Sequence, residues 1–238
     1  IERVFTGELQ PGDTLPAERA LSAARGWDRT SLRIAMRQLT RMRLIRVVRG
    51  SGMTVLDYRH HAGLDFLAAV LEIPGLQLGG AFLLEALEHW DGAMPRITAR
   101  ALARATPRDV RELDRLLSEQ LVLLDRGATP EPVVELELTL HDALVDMVGD
   151  TTLRLIANSS RPLRRELSLL QMSLVDWRAH VERQRDQVRA ILVAQPDEQR
   201  QREAHAAYMR QQHSALREHL ATLPPNPSRS TRWSRQAA

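Results

Sequence analysis

The chain has 238 residues, and its 43% hydrophobic content is enough to build the core of one large domain or two smaller ones. It contains no cysteine, which excludes disulfide bonds and thiolate metal sites. No apolar run approaches the roughly 20 residues that a membrane-spanning helix requires, and the N-terminus lacks the pattern of a signal peptide. We therefore expect a cytoplasmic protein that does not insert into a membrane.

Charge is distributed unevenly along the chain, although the overall net charge is only +3. All 33 basic residues are arginine, so the choice of arginine over lysine is by itself weak evidence for phosphate binding. Residues 1–55 contain ten arginines and five acidic residues, whereas residues 56–221 contain twenty arginines and twenty-five acidic residues. A basic N-terminal segment on an acidic body predicts a polyanionic partner for that segment alone.

The N-terminal segment predicts two short helices followed by a hairpin. The first helix is expected to begin at Pro16, since proline suits the first helical turn, and to stop at Gly26. Asp28 can cap the second helix by accepting hydrogen bonds from free backbone N–H groups. The strands IRVV and MTV flank the turn sequence RGSG, which is typical of a two-stranded hairpin. We predict a winged helix-turn-helix over residues 1–56, in a chain that is otherwise mainly α.

Arginine recurs at every fourth residue of the second predicted helix: Arg29, Arg33, Arg37 and Arg41. This spacing places the four side chains on one helix face. A helix in the major groove of DNA presents one such face to base edges and phosphates, so the pattern fits a recognition helix. The alternative is a solvated face in an arginine-rich protein, and the spacing alone does not separate the two interpretations.

The surrounding residues favour the recognition helix. Thr30 and Ser31 place small hydroxyls near the start of the helix, and Arg49 lies next to glycine at the predicted wing tip. The opposite face is expected to be apolar and turned inward, with four residues contributing: Leu32, Ala35, Met36 and Leu39.

Helical periodicity dominates after residue 60, so we predict a helix bundle. Residues 57–78 are expected to form a linker and the first bundle helix, and residues 79–221 the rest of an all-helical domain. Pro162 interrupts one long run and is expected to kink or end a helix. The segment 222–238 is rich in proline, serine and arginine, so we predict a disordered basic tail.

The N-terminal pattern resembles the winged-helix domain of GntR-family bacterial transcription regulators. The elements PGD, LPAER, R-T-x-x-R and G-x-G occur in the family order and spacing over about the first quarter of the chain. One position departs, because the family usually has Ser or Thr where Asp28 stands. The resemblance implies that seven residues contact DNA: Arg19, Arg29, Thr30, Ser31, Arg33, Arg49 and Gly50.

Two later segments, HHAGLDFLAAVLEIPG and ELTLHDALVDMVGDTTLRLIAN, are similar to the FadR subfamily of GntR regulators. The subfamily has an all-helical C-terminal domain that dimerises the protein and binds an effector. This resemblance implies a homodimer that binds a palindromic DNA operator as a ligand-responsive regulator, a repressor in our interpretation. The implied effector is a small organic acid or a fatty acyl-CoA, bound within residues 79–221.

Many members of that subfamily hold a divalent metal such as zinc, nickel or manganese in the bundle. Glu137 and His141 match the first ligand pair, since an i, i+4 spacing puts both side chains on one helix face. The family alignment places Asp186 and Tyr208 where two further histidines would stand. His205 and His213 lie nearby and complete the candidate metal site only in a shifted helix register. The alternative is a hydrogen-bonded pair of Glu137 and His141 without metal.

The sequence also gives expected environments for three other histidines and one tryptophan. His60 and His61 are expected to be solvated or to contact the N-terminal domain, while His89 and Trp90 either line a pocket or belong to the core. An enzyme using Glu137 and His141 is a further alternative, but the sequence has no nucleophile motif or phosphate-binding loop. An architectural DNA-binding protein without ligand is another alternative, which the size of the bundle disfavours.

Overall fold

The computed structural model describes residues 1–48, 52–191 and 197–229. The described chain is mainly helical and divides into two compact units. The first, which we call the head unit, contains the described residues of Ile1–Leu78 and of Asn226–Arg229. The second, the bundle unit, contains Gly79–Pro225.

The head unit contains the predicted helix-turn-helix. Its first elements in chain order are α1 (Glu2–Phe5), β1 (Thr14–Leu15), α2 (Glu18–Arg25) and α3 (Arg29–Arg41). Gly26 ends α2 in the left-handed region at φ +64°, which glycine adopts without a Cβ penalty. Asp28 then caps α3, because its Oδ2 accepts a hydrogen bond from the backbone N–H of Ser31 at 2.7 Å. The two predicted helices and the turn between them are confirmed.

A three-stranded antiparallel sheet in the order β1–β3–β2 completes the winged helix. The hairpin strands β2 (Ile45–Val48) and β3 (Gly52–Val55) pair so that Ile45 lies opposite Val55. The predicted hairpin is confirmed, and β1 adds a third strand that the sequence pattern does not predict. The residues that join β2 and β3 lie outside the described part of the chain.

The segment predicted as a linker and first bundle helix packs within the head unit. It forms α4 (Tyr58–His61), α5 (Leu64–Leu71) and the short strand β4 (Leu76–Gln77). The ring centroids of Phe5 and Phe66 are 6.1 Å apart, so α5 contacts α1 through aromatic side chains. Helix α5 therefore belongs to the first unit, because its buried face completes an aromatic cluster there.

Part of the predicted tail is ordered in the head unit. Ser228 and Arg229 form β5, which pairs antiparallel with β4. The prediction of disorder over 222–238 is therefore wrong for these two residues, because their backbone groups complete a two-stranded ladder. Residues 230–238 lie outside the described residues.

Seven helices make up the described bundle unit: α6 (Gly80–Leu102), α7 (Pro107–Asp125), α8 (Pro130–Val148), α9 (Thr151–Met172), α10 (Trp177–Ala190), α11 (Glu198–Gln212) and α12 (Ser214–Thr222). Capping residues and glycines explain where several of these helices begin or end. Thr106 and Asp109 form a capping box at the start of α7. Gly149 ends α8 at φ +73°, and Asp150 caps α9.

The core of the bundle unit lies between α6, α7, α8 and α10. It is built from fully buried aliphatic side chains, among them Leu113, Leu117 and Val133, with Trp177 packed against them. Helix α9 continues through Pro162 to Met172, so of the two predicted alternatives, a kink or an end, the end at the proline is wrong. Its buried face extends on both sides of Pro162, through Ala157 and Leu167. Packing of that face outweighs the lost backbone hydrogen bond.

Within the described residues, no helix combines the length and the apolar character that crossing a bilayer demands.

Candidate DNA-binding face and buried polar cavity

The first candidate site is the exposed face of α3. Leu32 is 4% exposed and anchors the helix, whereas the four arginines and the two hydroxyl residues of the predicted contact face are all exposed: Arg29, Thr30, Ser31, Arg33, Arg37 and Arg41. None of the four arginines forms an ion pair with a described acid of the head unit. Ala35, predicted to face inward, is exposed. The guanidinium groups are therefore available to a polyanion.

A cleft of about 560 Å³ lies beside this face, between α3 and the hairpin. Arg33 and Arg37 line one wall, while Val47 lines the other and is 61% exposed. Arg19, at the start of α2, is exposed as well. Arg49 and Gly50, the predicted wing contacts, fall outside the described residues.

The second candidate site centres on Glu137, a fully buried carboxylate on α8. Its Oε2 accepts a hydrogen bond from Gln120 Nε2 at 3.1 Å, and its Oε1 accepts one from Gln184 Nε2 at 2.9 Å. His141 Nε2 lies 3.1 Å from Oε1 and His180 Nε2 lies 3.5 Å from it. We call these five residues the Glu137 cluster.

The Glu137 cluster keeps a buried carboxylate ionised. Burial alone would raise the pKa of Glu137, but the two adjacent imidazoles outweigh it and hold the pKa well below its ordinary value. Because a carboxylate only accepts hydrogen bonds, both Nε2 atoms must carry their hydrogen toward it. The orientation of both histidine rings is thereby fixed.

Tyr208 of α11 extends this cluster. Its hydroxyl lies within hydrogen-bond distance of His180 Nδ1, and the two rings stack with an interplanar angle of 12°. Nε2 of His180 faces Glu137 and Nδ1 faces the Tyr208 hydroxyl, so this ring bridges the two side chains. Burial, together with the charge of Glu137, raises the pKa of Tyr208. Burial and the three neighbouring histidines lower the pKa of His205 to about 4, so this side chain is neutral near pH 7.

The four predicted metal ligands line one cavity but do not share one set of contacts. Glu137 contacts His141, as the i, i+4 spacing predicts. His213, by contrast, places Nδ1 2.5 Å from Asp91 Oδ1, and Arg217 bonds the same carboxylate. His205 lies beside Tyr208, with ring centroids 6.1 Å apart.

This arrangement does not fit a metal site. The described residues contain no group of three or more His, Cys, Asp or Glu side chains placed to hold a metal ion. Both oxygens of Glu137 already accept hydrogen bonds from glutamine N–H groups, which cannot coordinate a cation. Among the described residues, Glu137 and His141 thus belong to one hydrogen-bonded group and His213 to another, while His205 stands beside Tyr208.

A cavity of about 70 Å³ lies beside the Glu137 cluster, bounded by α6, α7, α8, α9, α10 and α11. Trp90 lines it and packs edge-to-face on His141, with ring centroids 5.1 Å apart. His89 is exposed instead, so only one of these two predicted pocket residues is placed there. His60 and His61 are exposed at the end of α4.

Comparison with known proteins addresses the head unit most directly. Residues 1–55 match the family model described as "Bacterial regulatory proteins, gntR family". The matched range covers the helix-turn-helix, the sheet and the exposed arginine face. The first 55 residues form a gntR-family domain.

The similarity to curated relatives extends beyond the matched domain. The HTH-type transcriptional regulator Mce2R of Mycobacterium tuberculosis is 35% identical over 158 residues, which are 66% of this chain and 64% of that protein. A fatty acid metabolism regulator protein of Shewanella frigidimarina is 29% identical over 114 residues, 48% of this chain and 46% of that protein. The chain thus spans somewhat less than two thirds of the mycobacterial relative.

A solved structure of E. coli McbR/YncC covers 93% of this chain and 94% of its own, with 18% identity and a TM-score of 0.48.

The sequence analysis missed three residues that line or adjoin the cavity of the bundle unit. Gln120, His180 and Gln184 all contact Glu137, but they lie on α7 and α10, between 17 and 47 residues away in sequence. A buried glutamine has no sequence pattern of its own. The one available signal is the spacing of His180 and Gln184, which places both on one face of α10.

Proposed function

We propose that this chain is a bacterial, cytoplasmic transcription regulator that binds a palindromic DNA operator as a homodimer and responds to a ligand in its bundle unit. The observation that carries the proposal is the exposed arginine face of α3 within a gntR-family domain. The names of the relatives, all of them regulators or repressors, support a regulator rather than an enzyme.

Recognition of DNA follows from the geometry of α3. A helix of 13 residues fits the major groove and presents its arginine face to bases and phosphates. Thr30 and Ser31 lie in the first turn, where hydroxyls and backbone N–H groups bind phosphate oxygens. Arg33 and Arg37 follow on the same face, one and two turns later, where guanidinium groups pair with guanine edges.

The head unit supplies further contacts to the backbone of the duplex. Arg19 at the start of α2 is exposed and positioned for a phosphate, as the helix before a recognition helix crosses the DNA backbone. Val47 on the hairpin offers an apolar surface beside the cleft. Arg49 and Gly50, which follow it closely in sequence, are the proposed wing contacts. A palindromic operator follows from two-fold symmetry, since two heads then read two equal half-sites.

Regulation is assigned to the bundle unit. A small organic acid or an acyl-CoA bound among the helices would favour one arrangement of the two head units of a dimer. Because the spacing of the two DNA half-sites is fixed, an arrangement that does not match this spacing binds the operator more weakly. Release of DNA on ligand binding makes the regulator a repressor. The fatty acid metabolism regulators among the relatives support an acid-derived effector.

Fluorescence anisotropy with promoter DNA tests the proposal. An Arg33→Ala change should weaken binding by about 1 to 3 kcal/mol if the side chain pairs with a base. If it contacts phosphate, the slope of log affinity against log salt should fall by about one unit. Arg111→Ala, at an exposed arginine of α7, is the matched control and should leave the affinity unchanged.

Two outcomes would contradict the proposal. Equal DNA affinity of the wild-type and Arg33→Ala proteins, at all salt concentrations, would show that Arg33 of α3 does not contact DNA. If no organic acid or acyl-CoA changes the operator affinity by more than about twofold, the proposed response to a ligand is wrong, because typical coupling is larger.

A further inference from the structure

Ile34 is an exposed aliphatic residue on the outward surface of α3. The helix turns the buried Leu32 and the half-buried Met36 and Leu39 toward the interior of the head unit. At about 100° per residue, the direction opposite to these three side chains falls within about 20° of Ile34. Its exposed fraction of 53% agrees with this geometry. An isoleucine therefore lies near the centre of the surface that α3 turns away from the head unit.

The arginine face of α3 surrounds this isoleucine. Arginines spaced by four residues advance by about 40° per step around a helix, so the row that begins at Arg29 crosses the surface obliquely. Arg41 and the exposed Gln38 lie within about 40° of Ile34, and Arg37 lies within about 60° of it. A polyanion bound by the later arginines of the row therefore also meets Ile34 and Gln38.

The fold itself gains little from isoleucine at this position. Half of the side chain is exposed, and β-branched residues form helices less readily than leucine, arginine or glutamine do. A single exposed aliphatic side chain is common on protein surfaces and by itself indicates nothing. The position of Ile34, among arginines on the face assigned to DNA, is what indicates an apolar contact with the bound duplex.

The chemistry of the major groove identifies that contact. Its apolar group is the C5-methyl of thymine, which apolar side chains contact, while a glutamine amide donates to N7 of adenine and accepts from the N6 amino group. The rise along the helix from Ile34 to Gln38 is about 6 Å, which is less than two base-pair steps of about 3.4 Å each. The two side chains can therefore reach one A·T pair or two neighbouring pairs.

We propose that Ile34 and Gln38 read A·T base pairs in each operator half-site. Ile34 packs on the methyl group of a thymine, and Gln38 pairs with the adenine of the same or the next base pair. This inference rests on the proposed function, since it names base pairs that α3 recognises. The arginines then contribute affinity for phosphates and guanines, and Ile34 and Gln38 restrict the sequence further.

Base analogues in a selected half-site test the inference with the whole chain. Selection of bound duplexes from a random DNA library supplies the half-site. Deoxyuridine, placed at one thymidine at a time, removes only the methyl group, and one such replacement should weaken binding in fluorescence anisotropy by about fourfold, the contribution of one buried methyl group. 7-Deazaadenine at the same or the next base pair removes only the N7 acceptor and should weaken binding by roughly three- to tenfold.

Two alanine variants separate the two contacts. Ile34→Ala should bind the thymidine and deoxyuridine duplexes equally and keep its sensitivity to 7-deazaadenine, whereas Gln38→Ala should show the reverse. Ile34→Val keeps a β-branched side chain and should keep most of the preference for the methyl group. Leu64→Ala, at a 43% exposed leucine of α5, is the matched control and should keep both wild-type ratios. Alanine is the best helix former, so circular dichroism should show an intact fold.

Three outcomes would overturn the inference. If no thymidine replacement changes the wild-type affinity, α3 reads no methyl group. If Ile34→Ala keeps the preference for thymidine, another residue makes that contact. If Ile34→Ala lowers the oligomeric mass of the DNA-free protein and leaves the preference unchanged, the exposed isoleucine contacts a second copy of the chain. Arg33→Ala distinguishes this failure from that of the proposed function: if it still weakens DNA binding, only the assignment of Ile34 and Gln38 is refuted.

Discussion

Acidification should destabilise the bundle unit through His205. Burial and the neighbouring histidines lower the pKa of this side chain to about 4, whereas its value in an unfolded chain is 6.5. Between these two values the unfolded state binds a proton that the folded state does not. Stability is therefore fully present above pH 6.5 and is lost as the pH falls toward 4.

The magnitude follows from the difference of the two pKa values. Each pKa unit corresponds to about 1.4 kcal/mol, so the full loss is about 3.5 kcal/mol, and about 2 kcal/mol of it occurs between pH 6.5 and 4.5. The lowered pKa of Glu137 contributes in a different window, because its stabilisation is lost only below the ordinary glutamate value of 4.5. The range between pH 6.5 and 4.5 thus isolates the histidine effect from the lowered carboxylates.

Urea denaturation at closely spaced pH values measures this loss. Trp90 and Trp177 both lie in the bundle unit, so their fluorescence reports its unfolding. A His205→Phe variant should lose about 2 kcal/mol less than the wild type between pH 6.5 and 4.5. His60→Phe, at an exposed histidine of the head unit, should keep the wild-type slope. An unchanged pH slope in His205→Phe would refute the assignment.

Three further pairs of changes test the packing. Gly80→Ala places a Cβ 2.3 Å from the carbonyl oxygen of Leu220 and should destabilise the bundle unit in denaturation, whereas Gly92→Ala meets no atom within 4 Å and should stabilise it by about 0.5 to 1 kcal/mol. Gly52 has φ +89°, and a Cβ added there would lie 2.7 Å from the carbonyl oxygen of Leu15, so Gly52→Ala should unfold the sheet of the head unit and abolish DNA binding. Gly26→Ala should weaken DNA binding less, because a Cβ at that position meets no atom within 4 Å. Leu117→Ala should cost about 2 to 5 kcal/mol of stability, and Leu155→Ala, 60% exposed, should cost less than about 0.5 kcal/mol. If the two variants of any pair have equal effects, the difference in packing on which that pair is based is wrong.

Local signals in the sequence account for most of the helix boundaries. Asp28, Thr106 and Asp150 each cap the helix that follows, and Gly26 and Gly149 each end a helix with positive φ. Such signals act over three or four residues, so they can be read from the chain without its tertiary structure. The arginine face of α3 is of the same kind, because a single helix fixes it.

Features that depend on distant residues could not be predicted in this way. Strand β1 exists only because β3 offers a free edge, and β5 only because β4 lies beside it. Helix α5 has the periodicity of any bundle helix, and nothing local assigns it to the head unit rather than to the bundle. His213 likewise cannot be separated from Glu137 by spacing, since its partner Asp91 lies 122 residues earlier.

Helix α11 is held toward its C-terminal end by two directional side-chain bonds within the bundle unit. Tyr208 bonds to His180 on α10, and His213, which directly follows the helix, bonds to Asp91 on α6. Helices held only by interlocking leucines can slip past one another at small cost, but a shift of α11 along its axis would break one of these bonds. These two bonds link α10 to α6 through α11, so a displacement of α10 along this helix would be transmitted to α6.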